Sequence, residues 1–305
     1  MSLLLLGAPA LAVTGGDALL REATAIVEEL GPRPVGSRAA DDAQAWAFDT
    51  LDAAGWRPVR VEGIDGFTVG CRPGASDRIV LFLAHTDSVH EDVPGAVDNA
   101  GAMAVLAAVA RDLPATEVTP RTVCLAFPDA EEVGLLGSRQ LAEQREHYLP
   151  GPVDQVMALD LVGRGTLTHN GLGPAWSGSR LRALLHAAPA DVPYVYRAIS
   201  EGRPELERSD HHWFGRAGIP SSHLLSRGES GVLWTYHTSR DTPDTLQPEA
   251  LAAAYGAVWG VAHAPVLPAG EPIVPPLVVP FTHLVVPGGI VALGLSALLG
   301  VAVAG

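Results

Sequence analysis

The chain has 305 residues, 48% of them apolar, which is enough for one large α/β domain or two small ones around a sizeable core. Its 34 acidic side chains outnumber 20 basic ones, all arginine, and the formal charge of −14 argues against a nucleic-acid binder, which needs clustered cations. Only two cysteines are present, Cys71 and Cys124, which excludes a disulfide-rich scaffold, and neither lies in a paired-cysteine zinc spacing.

The first segment, residues 1–16, is apolar, with an uninterrupted run over Leu3–Val13. This run is too short to cross a bilayer, which takes about 20 residues, and it lacks the positively charged start of a secretory signal peptide. Three interpretations stay open. The segment is a signal-like sequence with a cleavage site near Ala10–Ala12, an apolar start that packs on the domain, or a fragment of a longer segment.

The next segments predict two helices followed by a hairpin. Amphipathic patterns at Asp17–Leu30 and Ala39–Ala54 are typical of surface helices. Alternating residues at Arg57–Glu62 and Phe67–Cys71 then predict two strands that pair with each other.

Three continuous apolar runs predict strands that are buried on both faces: Ile79–Ala84, Thr122–Phe127 and Gln155–Leu159. Helical patterns follow each run and close the domain, at 99–111, 135–145, 177–188 and 248–264. Strands that alternate with helices predict an α/β fold with a mostly parallel, mixed central sheet covered by helices on both faces. We expect this domain to span residues 17–265. Cys124 lies inside the second run, where we expect it to act as a small hydrophobic residue.

The last part of the chain differs sharply from the domain. Residues 266–287 are rich in proline and predict a stiff linker. Residues 288–305 contain neither charge nor proline and would form a helix of about 27 Å, near the thickness of a hydrocarbon core. We expect a transmembrane helix there, the alternative being a buried core helix. Cytoplasmic segments next to a membrane helix are usually rich in lysine and arginine. No lysine or arginine follows Arg240, which favours a membrane-anchored protein with an extracytoplasmic main domain.

Histidine and carboxylates follow each of the three buried strands. His85 and Asp87 come after the first, Glu131 and Glu132 after the second, and Asp160 directly after the third. In open parallel sheets, ligands gather beyond the carboxyl ends of the strands. Each residue alone has an ordinary explanation, such as a helix cap or a solvated helix start. Their convergence on one edge favours a site for zinc or a similar divalent ion, which imidazole and carboxylate donors suit.

Five sequence blocks, in order along the chain, resemble one known family. They are His85-x-Asp87, Pro94–Gly101 around Asp98-Asn99, Ala130–Ser138 with its paired glutamates, Leu159-Asp160, and Tyr236–Asp244. Over about residues 17–265 the chain resembles metallopeptidase family 28, the di-zinc aminopeptidase group related to glutamate carboxypeptidase II and the glutaminyl cyclases. All five blocks occur together, so the resemblance is specific, and no proposed ligand position departs from the family pattern.

The resemblance implies a pair of zinc ions bridged by Asp98. His85 and Asp160 would complete the ligands of one ion, and Glu132 and His237 those of the other. A bridging carboxylate suits two metals about 3.5–4 Å apart, because it offsets their repulsion while they hold a water between them.

The resemblance also implies roles around the metals. Glu131 would be the general base, and Tyr236 would stabilise the oxyanion. Asp87, two residues after His85, is placed to accept the other N–H of that imidazole, and Asp241 is a candidate for the same duty toward His237. The remaining histidines are expected to be ordinary residues, with His211 and His212 lining the site without ligating: His90, His147, His169, His186, His211, His212, His223, His263 and His283.

These observations favour a zinc-dependent exopeptidase that removes amino-terminal residues from peptides. The alternatives are a glutaminyl cyclase-like acyltransferase with one zinc, and a carboxypeptidase or dipeptidase that uses the same site. A catalytically inactive binding module is disfavoured, because every proposed ligand and the base are present. The chain has neither a Gly-x-Ser-x-Gly elbow nor a phosphate-binding glycine loop, which excludes the corresponding hydrolases and nucleotide enzymes. The sequence carries no signal for an oligomeric state.

Overall fold

The computed structural model describes residues 14–174, 177–189, 200–201, 208–228, 233–267, 277–278 and 285–286. Residues 1–13 of the predicted apolar segment and the whole predicted membrane helix at 288–305 lie outside these ranges. Among the helices that the structure does describe, none combines the length and the apolar character that a bilayer crossing requires.

Both predicted amino-terminal helices are confirmed. They form because apolar residues recur on one face, as Leu19, Ala23 and Ile26 do in the first helix, where all three are buried. The second helix begins after Ser37, whose hydroxyl accepts the N–H of Ala40 at 3.1 Å. The helices of the domain are α1 (Gly16–Leu30), α2 (Arg38–Ala53), α3 (Gly101–Asp112), α4 (Leu136–Glu143), α5 (Arg145–Tyr148), α6 (Ser177–Ala187), α7 (His212–Arg216) and α8 (Pro248–His263).

The predicted mixed sheet is also confirmed. Its strands are β1 (Val59–Val61), β2 (Phe67–Arg72), β3 (Ile79–Leu83), β4 (Thr122–Pro128), β5 (Val153–Leu159), β6 (Thr166–Leu172), β7 (Ser200–Glu201) and β8 (Ser221–Arg227). They lie in the order β1-β2-β4-β3-β5-β8-β6-β7. The central four, β4-β3-β5-β8, are parallel, whereas β1 with β2, β2 with β4, and β6 with β8 pair antiparallel.

Helices cover both faces of the sheet. Alternate residues of β3 face opposite sides, so that Val80 and Phe82 pack with α1, α2, α3, α6 and α8, whereas Leu81 and Leu83 pack with α4, α5 and α7. Both faces are therefore buried, which explains why the central strands are continuous apolar runs.

Strands β6 and β8 were not predicted. Their sequences, TLTHNGL and SSHLLSR, have neither an apolar run nor strict alternation, yet β6 pairs with β8 along its whole length. Buried polar side chains such as Asn170 and Ser222 break the pattern on which strand prediction depends.

The prediction for Cys124 was wrong, because the structure joins it to Cys71 in a disulfide. The apolar run correctly placed Cys124 in a core strand, but the partner depends on the register between β2 and β4. That register sets Cys71 directly opposite Cys124, with Cα atoms 4.1 Å apart.

The predicted linker at 266–287 contains some regular structure. Helix α8 ends at His263, close to the expected domain end. Beyond it, β9 (Leu277–Val278) and β10 (Val285–Val286) pair antiparallel as a two-stranded ladder. The boundaries of the linker and of the segments around it stay a prediction.

Candidate metal centre

The parallel strands deliver their polar residues to one edge of the sheet, as predicted. His85 lies two residues beyond β3, Glu131 and Glu132 follow β4, and Asp160 comes directly after β5. Because β4, β3 and β5 are parallel neighbours, these side chains meet beyond the same carboxyl ends.

Asp98 comes from a distorted turn, Ala96–Ala100, that precedes α3. Its backbone is not helical, with φ −121° and ψ 76°, and α3 has no side-chain cap, so Asp98 does not serve as a helix cap. The next residue in the turn, Asn99, donates a hydrogen bond from Nδ2 to the Leu159 carbonyl at 2.9 Å. This contact ties the Asp98 turn to the end of β5.

The five predicted ligands form two groups that share Asp98. In one, His85 Nε2 lies 3.2 Å from Asp98 Oδ1 and 3.6 Å from Asp160 Oδ1. In the other, His237 Nε2 lies 2.9 Å from Glu132 Oε2 and 3.5 Å from Asp98 Oδ2. Within each group one donor atom per residue lies within 4.8 Å of the others, and Asp98 offers a different oxygen to each histidine.

These donors suit a divalent cation. Among the described residues, His85 Nε2, Asp98 Oδ2 and Glu132 Oε1 are buried and make no hydrogen bond. Leaving such atoms without a partner costs about 1–3 kcal/mol each, so several in one place point to a missing ligand. Imidazole nitrogen and carboxylate oxygen, with no thiolate, are donors that zinc accepts.

The charges in the site also favour a cation. Burial raises the pKa of Asp98 to about 7. The neighbouring carboxylates of Asp160 and Glu132 also raise this pKa, whereas the hydrogen bond to His85 lowers it. Burial likewise raises the pKa of Glu131 well above its ordinary value, and the carboxylates of Asp160, Asp210 and Asp87 add to the shift, although His85 opposes it. Several negative groups are thus held together, an arrangement that positive charge would stabilise.

Asp87 organises the loop of the paired glutamates. Its carboxylate accepts the N–H groups of Glu131 and Glu132, both at 3.1 Å. The imidazole of His85 lies beside it, with Nδ1 3.4 Å from Asp87 Oδ1 and 3.2 Å from the Asp87 carbonyl oxygen. Asp87 therefore positions His85 from one group of predicted ligands and Glu132 from the other.

The expected role of Asp241 is corrected by the structure. Its carboxylate does not hold the His237 imidazole but accepts the N–H of Val97 at 2.8 Å and of Asp98 at 3.0 Å. A four-residue spacing places two side chains on one face only in a helix, whereas residues 234–237 form a turn. Asp241 instead fixes the backbone of Asp98, the predicted shared ligand.

Strained backbone surrounds the site. Four of the five non-glycine residues with positive φ among the described residues lie beside it, and Arg57 is the fifth. They are Ala130 (φ 57°), Leu135 (φ 61°), Leu161 (φ 57°) and His237 (φ 55°). Such conformations cost about 1–3 kcal/mol each and persist where the surroundings enforce them, typically at functional sites.

Two further residues support the site and were not predicted. Arg33 is fully buried and donates to the carbonyls of Thr86, Pro94 and Gly95, which ties the His85 loop to the Asp98 loop. His223, on β8, lies with Nε2 3.7 Å from Asp160 Oδ2. His223 was expected to be an ordinary residue, and its place beside Asp160 corrects that expectation. No local pattern predicts either role, because each residue contacts the site through partners at least 53 residues away along the chain.

Four of the five predicted ligands, Asp98, Glu132, Asp160 and His237, line a cavity of about 650 Å³, whereas His85 is buried behind them. Glu131 and Tyr236 also line it, and the Tyr236 ring stacks on that of His237 at 3.7 Å. Burial and the nearby carboxylates raise the pKa of Tyr236, so its hydroxyl stays protonated. The other lining residues are Gly134, Leu135, Leu161, Arg208, His212, Trp213, His223, Leu225, Ser226, Arg227 and Leu233. Neither His211 nor His212 belongs to a candidate metal-binding group in the described part of the chain.

One curated relative aligns with part of the chain. The probable lipoprotein aminopeptidase LpqL of Mycobacterium tuberculosis (strain ATCC 25618 / H37Rv) is 29% identical over 206 residues. The match covers 59% of this chain and 41% of the relative, so it spans about two fifths of that protein's length.

Solved structures share the fold. A Zn-dependent exopeptidase from Parabacteroides distasonis superposes with a TM-score of 0.69 at 21% identity, over 83% of this chain and 99% of that one. A glutaminyl cyclase from Tannerella forsythia gives 0.70 at 20% identity, over 81% and 98%. A leucine aminopeptidase precursor from Bacteroides thetaiotaomicron gives 0.69 at 18% identity, over 83% and 99%.

The match to a family model covers the fold and the site together. The model of Peptidase family M28 matches residues 68–262, which is more than half of the chain and includes all five predicted ligands. The chain therefore belongs to peptidase family M28.

Proposed function

We propose that this protein is a zinc-dependent aminopeptidase that hydrolyses the first peptide bond of its substrates. The observation that carries the proposal is the pair of three-residue groups that share Asp98, beside a cavity that four of their five residues line. His85, Asp98 and Asp160 would hold one zinc ion, and Asp98, Glu132 and His237 the other. The family and the relative named as a probable aminopeptidase support the same activity.

The residues around the ligands supply the chemistry that a peptidase needs. Bound zinc would polarise the scissile carbonyl and lower the pKa of a water to about 7. Glu131 then takes the proton of the attacking water and passes it to the leaving amine. The protonated hydroxyl of Tyr236 donates a hydrogen bond to the oxyanion as it develops. The free amine of the substrate binds where Glu131 and Asp160 concentrate negative charge.

We also propose that the domain lies outside the cytoplasm and is attached to a membrane. The disulfide between Cys71 and Cys124 favours an oxidising compartment. The relative's name as a lipoprotein agrees with membrane attachment. The segment 288–305 remains the predicted anchor. Extraction of membranes with carbonate tests this, because recovery of the full-length protein in the soluble fraction would contradict an anchor.

The activity is tested with the full chain, stripped of metal by a chelator and reloaded with zinc. We expect zinc-dependent release from a panel of aminoacyl nitroanilides, with two zinc ions bound per chain. Glu131→Gln should lower kcat by about 10²–10⁴-fold, the usual contribution of a general base, while zinc content stays the same. Glu143→Gln, an exposed glutamate on α4, is the matched control and should leave kcat unchanged.

The same preparation separates the competing reactions. Glutaminyl cyclases share this fold, so a peptide with amino-terminal glutamine is offered alongside the nitroanilides. Cyclisation without nitroanilide release, from folded and zinc-loaded protein, would replace the aminopeptidase proposal. Release of the last residue from a blocked peptide would instead indicate a carboxypeptidase, and cleavage restricted to dipeptides a dipeptidase.

A further inference from the structure

Trp234 is a large aromatic side chain that stands exposed beside the metal centre. It is 55% exposed, and it belongs to the turn 234–237 that carries His237. Its neighbour Leu233 lines the cavity, whereas Trp234 itself does not. The indole therefore stands outside the cavity lining, next in sequence to a lining residue and on the turn that carries the predicted ligand His237.

The indole is held in place although it is exposed. The guanidinium of Arg164 lies 5.0 Å from the centre of its ring, and that of Arg240 lies 5.9 Å away. Arg164 is itself fixed, because its Nη1 donates to the Thr245 carbonyl at 2.7 Å. Cation–π contacts of this kind stabilise one orientation of the ring and leave its remaining surface available.

A second loop presents an exposed apolar side chain next to a predicted ligand. Val133 is 56% exposed and follows Glu132, whose Oε2 lies 2.9 Å from His237 Nε2. The two loops thus meet at a pair of ligands. Of the seven large apolar side chains exposed among the described residues, three lie on these loops: Val133, Trp234 and Tyr236. Exposed apolar side chains on loops that also line a cavity are typical of a binding surface.

We propose that Trp234, together with Val133, binds the side chain of the residue that follows the scissile bond and selects apolar or aromatic residues there. The inference rests on the proposed aminopeptidase function. In such an enzyme the amino-terminal residue occupies the cavity, and the rest of the peptide must leave over its rim. The indole offers a flat apolar surface to the first residue on that path. The charges of Arg164 and Arg240 disfavour lysine or arginine at the same position.

The test compares two substrates that differ only beyond the scissile bond, leucinamide and Leu-Phe-amide. The measured quantity is the ratio of their kcat/KM values for the zinc-loaded full chain. Trp234→Ala should lower the ratio for Leu-Phe-amide over leucinamide by about tenfold, mainly through KM, whereas Trp234→Phe should retain most of it. Ile64→Ala, which removes an exposed apolar side chain from the turn between β1 and β2, is the matched control and should leave the ratio unchanged.

The outcomes separate this inference from the proposed function. An unchanged ratio in Trp234→Ala, with wild-type protein hydrolysing both substrates, would overturn the role of Trp234 and leave the aminopeptidase standing. An equal loss on both substrates together with lower zinc content would also overturn it, because Trp234 would then only shape the His237 turn. Failure of the wild-type protein on both substrates would overturn the proposed function and this inference with it.

Discussion

Strand β5 carries an aspartate near each end, and the two aspartates belong to buried charge clusters of opposite character. Asp154, near the start of the strand, is surrounded by Arg78, Arg121 and Arg180. Asp160, directly after its end, lies among carboxylates and imidazoles. One sheet thus holds a cationic cluster at the amino ends of its strands and an anionic one at their carboxyl ends.

The difference lies in what balances the buried charge. At the amino ends the protein supplies the counter-charges itself: Arg180 donates to both oxygens of Asp154 at 2.8 Å, and Arg121 donates to the carbonyls of Val261 and Ala264. The arginines hold the pKa of Asp154 below its ordinary value despite burial. At the carboxyl ends, burial and like charges instead raise the pKa of Asp98. The first cluster is a structural support, and the second is suited to receive metal ions.

The largest effect should follow from breaking the cationic cluster. Asp154→Asn removes the carboxylate that these three guanidiniums share. We expect a loss of about 3–5 kcal/mol in the free energy of unfolding, the usual result of removing one partner of a buried ion pair. Urea denaturation in the presence of a chelator measures this loss without a contribution from metal.

A matched control lies close by in the chain. Asp77→Asn makes the same chemical change at an exposed residue just before Arg78 and should alter stability by no more than about 0.5 kcal/mol. If Asp154→Asn also falls within that range, the arginines are compensated by other groups and the cluster is not a structural support.

The two clusters differ in how far sequence alone predicts them. The gathering of residues in the candidate metal centre was predictable because apolar runs mark the buried strands β3 and β5, and parallel strands bring the residues that follow them, His85 and Asp160, to one edge. The cationic cluster was not predicted, although Arg78 and Arg121 directly precede β3 and β4. The cluster forms through contacts between segments that are distant in sequence, and no local pattern predicts such contacts.

The same limit explains the other corrections. The partner of Cys71 follows from the register of β2 with β4, and the hydrogen bonds of Asp241 cross more than 140 residues. The polar sequence of β8, which carries His223, takes its strand form from pairing on both sides rather than from its own pattern. Patterns within single segments were therefore sufficient to predict the strands and helices of the core. They were not sufficient to predict contacts between segments distant in sequence.

A third buried ionisable group, His169 on β6, has, within the described part of the chain, neither a carboxylate nor a candidate metal site to balance a charge on its ring. It is fully buried, and its two ring nitrogens make no hydrogen bond among the described residues. Burial, with a smaller contribution from Arg182, lowers its pKa to about 4. The group remains in the core by staying neutral rather than by finding a counter-charge.

This neutral state predicts a pH dependence. The unfolded chain takes up a proton at His169 near pH 6.5, whereas the folded chain does so only near pH 4. Stability from this residue is therefore complete above pH 6.5 and falls by about 2–3 kcal/mol as the pH drops toward 4. His169→Gln should remove this part of the loss between pH 7 and 4.5 in chelator-treated protein, whereas His147→Gln, at an exposed position, should not. Equal pH profiles for His169→Gln and wild type would contradict the assignment.

The smallest of these effects should come from the anionic cluster, and it should depend on zinc. A ligand that binds only the folded state stabilises it by RT ln(1 + [L]/Kd), which is about 1.4 kcal/mol for a single site at a tenfold excess of zinc over its Kd. Asp160→Asn removes an anionic donor from the group with His85 and Asp98 but leaves the group of Asp98, Glu132 and His237 intact. We expect zinc binding to fall from two ions per chain to one, and the stabilisation by zinc to fall with it. Chemical denaturation with and without zinc, combined with metal analysis, measures both quantities. If Asp160→Asn keeps two ions and the full stabilisation, Asp160 is not a ligand. It would then be a structural carboxylate, as Asp154 is.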